Sequence, residues 1–213
     1  MCAEPTVFVV DDDEAVRESL RFLIGSIGLR VEAYSSPTEF IDAYRPDRAG
    51  CLILDMRLPG LSGLQLQEHL RQRAMDLPII FVTGHGDVPM AVSALKAGAF
   101  DFIEKPYSDQ QLLDRVQHCI SEDTRRRRDY AERAALRERF SLLTPRERQV
   151  LERVVAGKPN KIIARELSIS GKTVEVHRAR VMEKMQTNSL ANLVSMCVNA
   201  GLVENPSPSS EGA

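Results

Sequence analysis

The first half of the chain alternates short apolar runs with longer stretches of helical period. The runs Thr6–Val10, Val31–Tyr34, Cys51–Leu54, Ile79–Val82 and Phe100–Ile103 have the length of strands and are rich in β-branched and aromatic side chains. Between them Val16, Leu20, Leu23 and Ile27 recur at helical spacing on one face, and Val88, Ala91, Val92 and Leu95 do the same further on. Phe22 falls off the first of these stripes, on the side of Ala15. Strands alternating with helices predict a parallel sheet covered on both faces. Such sheets bind ligands beyond the carboxyl ends of their strands. Asp11–Asp13, Asp55 and Thr83 sit just past such ends, and Lys105 lies two residues past its own.

From Leu142 onward the period is helical throughout. Thr144, Pro145 and Glu147 form a capping box with proline at the first helical position. Helices are expected over Asn160–Leu167, Ser170–Met185 and Ser189–Ala200, with a tight turn at Ser168–Ser170. Leu151, Val154, Ile162, Ile163, Leu167, Ile169, Val174, Val181, Met185, Leu190 and Leu193 supply an aliphatic core. Residues 123–140 contain no Gly or Pro and read as a solvated helical linker, continuing a helix over Gln110–Ile120. The Pro/Ser-rich tail, 204–213, reads as disordered. The domains expected are therefore 1–122, α/β, and 141–203, all-α with four helices.

Composition adds a division of charge. The net charge of −2 combines 11 Lys+Arg against 19 Asp+Glu in residues 1–122 with an excess of basic residues in the remainder. An acidic front and a basic rear suggest that the second domain meets nucleic acid. Hydrophobic residues make up 43% of the chain, enough for packed cores, and no apolar run approaches membrane-spanning length, so a cytoplasmic protein is expected. Cys2, Cys51, Cys119 and Cys197 lack metal-binding spacing and read as buried thiols. The scattered histidines, His69, His85, His118 and His177, give no metal site either.

The chemistry lies in the carboxylates. Crowded like charges at the end of a buried strand are tolerated when a cation arrives. Asp11, Asp12 and Asp55 end the first and third strands, which are neighbours in a doubly wound sheet. Hard oxygen donors converging there suit Mg²⁺. With Lys105 as a fixed cation and Thr83 as a hydroxyl donor, the set suits phosphoryl transfer, one carboxylate serving as acceptor. Asp13 is most simply the N-cap of the first helix.

The motifs VVDDDEAV, LILDMRLPGLSG, FVTGHGDVPMAV and FDFIEKP, in this order, resemble the receiver domain of two-component response regulators, with its flavodoxin-like fold of five parallel strands. The resemblance implies Asp55 as phosphoacceptor, Asp12 binding Mg²⁺ directly, Asp11 through water and Arg57 through its backbone carbonyl. It implies Thr83 and Lys105 on the phosphoryl oxygens, Phe102 as the switch aromatic and a cis Lys105–Pro106 bond. The rear sequence, from LTPRERQVL through SISGKTVEVHRARVMEKM, resembles the helix-turn-helix output domain of the LuxR/NarL class, and the whole chain resembles the FixJ subgroup.

On the recognition helix Val174, His177, Val181 and Met185 form the inward stripe. Lys172, Thr173, Glu175, Val176, Ala179 and Arg180 lie on the other face, with Glu175 suited to a cytosine amine and Val176 to a thymine methyl. Lys161, Lys172, Arg178 and Arg180 are candidates for phosphate contacts. The resemblance implies a transcriptional regulator, favouring an activator, phosphorylated by a sensor histidine kinase. Its active dimer would form on the face of residues 88–97 and the last strand, with promoter DNA and RNA polymerase as partners. It would be no enzyme beyond its own phosphorylation and dephosphorylation. Competing readings are an aspartyl-phosphate phosphatase of the haloacid dehalogenase type, whose D-x-D-x-[TV] pattern meets Ala15 at its last position, and a receiver joined to a protein-binding bundle. A sigma-factor-like region would also suit LTPRERQVL, but the attached receiver argues against it.

Overall fold

A strand that is apolar at every position has no solvent face to offer. β1 (Thr6–Val10), β3 (Gly50–Leu54) and β4 (Ile79–Thr83) come close to this, with Thr6 and Thr83 as their polar side chains, and are buried along their whole length. With β2 (Arg30–Tyr34) and β5 (Asp101–Glu104), which are partly exposed, they form one parallel sheet in the order β2-β1-β3-β4-β5. The computed structural model describes residues 4–46, 48–84 and 88–203. The chain divides into two compact units, Met1–Arg128 and Asp129–Ala213. The expectations for Cys2, His85 and the tail 204–213 lie outside the described residues.

Side-chain alternation sorts each central strand between two cores. Phe8, Val10, Leu52, Leu54 and Phe81 face α2 (Pro37–Ala43), α3 (Gly63–Gln72) and α4 (Val88–Lys96). Val7, Val9, Cys51, Ile53, Ile80 and Val82 face α1 (Glu14–Gly25) and the first turns of α5 (Asp109–Ser141). Aromatic rings close the first core, where Phe40 stacks on Tyr44 at 5.2 Å and Phe8 meets both edge-on. Cys51 and Cys119 are buried free thiols, as is Cys197 in the second unit.

Two helical faces differ from the simple stripe reading. On α1, Leu20 and Ile24 are the buried pair, with Val16 and Leu23 packed beside them. Ile27 lies past the end of the helix, out of its register, and is exposed. On α4, Val88, Val92 and Leu95 share a face as expected, but that face points outward, Val88 being 77% exposed. The helix rests instead on the fully buried Ala94, small enough to let α4 approach, with Met90 beside it. The Nε2 of buried Gln67 on α3 donates to the Ala94 carbonyl at 3.2 Å.

The arginine run in α5 is not simply solvated. Asp123 accepts the Gly50 backbone N–H at 3.0 Å and is paired with Arg126 and Arg127, each at 2.7 Å. Arg127 also donates to the Pro46 carbonyl, and Arg126 to Asp76.

In the second unit α6 (Pro145–Val155) starts at the expected capping box, Thr144 accepting from the Glu147 N–H while the Glu147 carboxylate accepts from the Thr144 N–H. α7 (Asn160–Leu167), α8 (Gly171–Lys184) and α9 (Leu190–Asn199) follow. Val150, Leu151, Val154, Ile163, Val174, Val181, Met185, Leu193 and Cys197 fill the core. Leu136 and Phe140, from the stretch read as linker, pack into it too. Ile162 is half-buried, and Leu190, the first residue of α9, is 43% exposed because the inward pair of that helix is Leu193 and Cys197.

Candidate functional site

The register of β1 against β3 pairs Val10 with Leu54, so the next residues, Asp11 and Asp55, leave adjacent strand ends together. The Asp55 N–H donates to the Val10 carbonyl at 3.0 Å, continuing the ladder one step. Carboxylate oxygens of Asp11, Asp12 and Asp55 come within 4.8 Å of one another. Asp11 is buried, Asp55 half-buried and Asp12 exposed, so the cluster opens to solvent on one side. Thr83 ends β4 and is 1% exposed. Its carbonyl accepts the Lys105 N–H at 2.9 Å. The Lys105–Pro106 bond is cis. Lys105 Nζ reaches Asp11 Oδ2 at 3.2 Å.

Close packing beneath the cluster requires a glycine. A Cβ on Gly63 would stand 2.4 Å from the Asp55 carbonyl oxygen, so only Gly lets α3 start directly under that loop. Ser62 caps α3 with Gln65 in a reciprocal box. The Arg57 N–H points at Asp55 Oδ1 at 3.5 Å, at the limit of a hydrogen bond. Asp13 caps α1, accepting from the Ala15 N–H at 2.8 Å.

Burial pushes the Asp11 carboxyl above its ordinary range, and the Asp55 charge adds to this. The Asp13 N–H and Lys105 pull it back down. Three hard oxygen donors with crowded negative charge fit a Mg²⁺ ion, which needs few protein ligands. One contributor was not read from the sequence. Arg17 NH1 donates to the backbone carbonyls of Asp11 and Asp12, both at 2.9 Å. Phe102, on β5, is half-buried and packs against the first core.

The DNA-contact candidates gather on α7, α8 and the turn between them. Ser168 closes α7 in the left-handed region, at φ 52°, and Ser170 caps α8. Ser170 Oγ accepts the Thr173 N–H at 3.0 Å and lies 2.8 Å from the Thr173 hydroxyl, so Thr173 belongs to the cap. Lys161, Lys172, Glu175, Val176, Ala179 and Arg180 are exposed. Arg178 is half-buried, its NH1 donating to Asn160 Oδ1 at 2.9 Å. On the inner side Val174, Val181 and Met185 are buried, while His177 is half-buried. Lys184 pairs with the buried Glu147 at 2.7 Å, fastening α8 to α6.

A parallel five-stranded sheet with an acidic cluster at its carboxyl edge, joined to a helix-turn-helix, defines a response regulator, and the family models agree. Residues 7–117 match the response regulator receiver domain, and residues 141–197 match the luxR family of bacterial regulatory proteins. The chain belongs to the response regulators that join these two domains. Nodulation protein W of Bradyrhizobium diazoefficiens is 46% identical over 199 residues, covering 93% of this chain and 88% of that protein. The transcriptional regulatory protein FixJ of Rhizobium meliloti is 46% identical, covering 92% and 96% of the two chains. Among solved structures, the response regulator StyR is 47% identical with a TM-score of 0.86, covering 92% of this chain and 100% of that one. Full-length FixJ from B. japonicum is 41% identical with a TM-score of 0.58, covering 94% and 98%. This is a FixJ-like transcriptional regulator. No helix of the described residues is long and apolar enough to cross a membrane.

Proposed function

We propose that the protein is a cytoplasmic transcriptional activator switched by phosphorylation of Asp55. The observation that carries this is the convergence of Asp11, Asp12 and Asp55 beside Lys105 at the carboxyl edge of the sheet. A sensor histidine kinase presents a phosphohistidine, and the Asp55 carboxylate oxygen attacks phosphorus as the P–N bond breaks. An acyl phosphate forms on Asp55 and the histidine leaves. Mg²⁺ held by Asp11, Asp12, Asp55 and the Arg57 carbonyl would neutralise charge on the phosphoryl oxygens. Lys105 supplies a fixed cation to the transferred group, and the Thr83 hydroxyl a hydrogen bond. Water attack on the same acyl phosphate resets the switch. Phe22, 83% exposed on α1, is an apolar contact suited to the kinase.

The added charge draws Thr83 and Lys105 toward it and moves their loops together with Phe102. The outward face of α4, with Val88, Val92 and Leu95 exposed, together with β5, is the surface on which two phosphorylated copies pair. Pairing brings two α8 helices to two half-sites about one helical turn apart. Glu175 and Val176 would meet base edges beside the cap residue Thr173, while Lys161, Lys172, Arg178 and Arg180 would meet phosphates. RNA polymerase is the downstream partner. Incubation with acetyl phosphate and Mg²⁺, followed by mass spectrometry of peptides, should place a single adduct on Asp55. An Asp55→Asn protein labelled at the wild-type rate would refute the assignment.

A further inference from the structure

We infer that Arg17 is a positioning residue for the phosphoacceptor site, holding the backbone of the acidic turn so that its carboxylates face Asp55. The inference rests on the reading of Asp11, Asp12 and Asp55 as a Mg²⁺-dependent site. Arg17 NH1 donates to the Asp11 carbonyl and to the Asp12 carbonyl, both at 2.9 Å. A guanidinium NH₂ carries two hydrogens fixed in a plane, one available for each oxygen. Successive carbonyls gathered on a single donor fix the orientation of both peptide planes.

The consequence follows from peptide geometry. In a trans peptide the N–H points opposite to the C=O. Carbonyls 11 and 12 turned toward Arg17 therefore turn the N–H groups of Asp12 and Asp13 to the other side. There the Asp13 N–H donates to Asp11 Oδ1 at 2.9 Å, and the other Asp11 oxygen accepts from Lys105 at 3.2 Å. Rotation of either plane would break a bond to Arg17, and rotation of the second would also take the Asp13 N–H away from Asp11. The turn has reason to rotate. Asp11, Asp12, Asp13 and Glu14 are four successive acidic residues, and their mutual repulsion is relieved by turning any one of them away. Arg17 is held in place in turn, since its own N–H donates to the Asp13 carbonyl at 3.1 Å in the first turn of α1.

A second role would have the opposite sign. A cation beside three carboxylates repels a divalent metal through space, so a purely electrostatic Arg17 would weaken Mg²⁺ binding, and its removal would strengthen it. Positioning predicts the reverse. The full-length unphosphorylated protein is titrated with MgCl₂ while the amide ¹H–¹⁵N shifts of Asp12 and Asp13 are followed, with hydrogen exchange of the Asp13 amide and thermal melting measured alongside. Arg17→Met should bind Mg²⁺ about tenfold more weakly, the loss usual for a residue that orients metal ligands. Its Asp13 amide should exchange faster, with melting of the first unit little changed. Arg17→Lys keeps the charge without the planar pair of donors and should regain no more than about threefold of the loss. Wild-type or tighter affinity in Arg17→Met would overturn the inference, as would full rescue by Arg17→Lys. A wild-type protein with no saturable Mg²⁺ shift would overturn the reading beneath it, and the inference with it.

Discussion

Asp123→Ala should destabilise the first unit out of proportion to a site so far along the sequence from the acidic cluster. The Asp123 side chain is 0% exposed and accepts from the Gly50 N–H and from two arginines. Alanine leaves the Gly50 N–H buried without an acceptor, at a cost of about 1–3 kcal/mol. Removing one partner of a buried ion pair costs about 3–5 kcal/mol. Here Arg126 and Arg127 are 43% and 27% exposed, so water takes over part of their pairing and the surviving cost is roughly 1 kcal/mol. The sum is about 3 kcal/mol, or a fall of about 10 °C in the melting of that unit. Asp123→Asn keeps an acceptor oxygen for Gly50 and should lose roughly half as much. Circular dichroism melts and urea titrations of the full-length protein give both values. A loss below about 1 kcal/mol for Asp123→Ala would mean that this buried network does not hold α5 to the base of the sheet.

Three further outcomes follow from other parts of the molecule. Hydrogen bonding from Arg48, against the cost of burial, lowers the Glu32 carboxyl from 4.5 to about 2, so its stabilisation is present above 4.5 and is lost as pH falls toward 2. Because the Arg48 and Glu32 side chains are 26% and 24% exposed, water screens part of their pairing, and Glu32→Gln should flatten that acid limb by on the order of 2 kcal/mol in urea titrations taken across the window. Because Leu136 and Phe140 belong to the second core, a fragment 129–203 should be more stable than 141–203 by about 3 kcal/mol, and equal melting of the two would contradict this packing. In fluorescence anisotropy on specific and scrambled duplexes, Val176→Ala should lower sequence discrimination by on the order of 1 kcal/mol, whereas Arg178→Ala should weaken all sequences alike and flatten the salt dependence; altered base preference in Arg178→Ala would rotate the assigned face.

What the sequence made legible divides along physical lines. β1, β3 and β4 are apolar on both faces, so their runs were continuous and their positions plain. Asp11, Asp12, Asp55, Thr83 and Lys105 were readable because strand ends in a parallel sheet converge, and the order of motifs supplied the sheet. The orientation of α4 was not readable, since its larger apolar side chains face outward and a small residue, Ala94, makes the contact inward. Asp123 was hidden because its burial depends on Gly50, which is 73 positions away in the chain. Leu136 was hidden within an Arg/Ala/Glu-rich stretch whose composition describes its exposed faces. Arg17 lay only one turn from the acidic cluster, but its role depends on carbonyl orientation, which residue spacing does not encode.

A phosphoryl group on Asp55 is proposed to control DNA binding by the second unit. The most direct measurement is the Kd of the full-length protein for a duplex it has selected from random sequence. It is taken with and without acetyl phosphate and Mg²⁺, for the wild type and for Asp55→Asn. Treatment should tighten wild-type binding by about tenfold or more, within the usual range of coupling between sites, and leave Asp55→Asn unmoved. Equal tightening of both proteins, or none in the wild type with the adduct present on Asp55, would contradict control by that phosphoryl group.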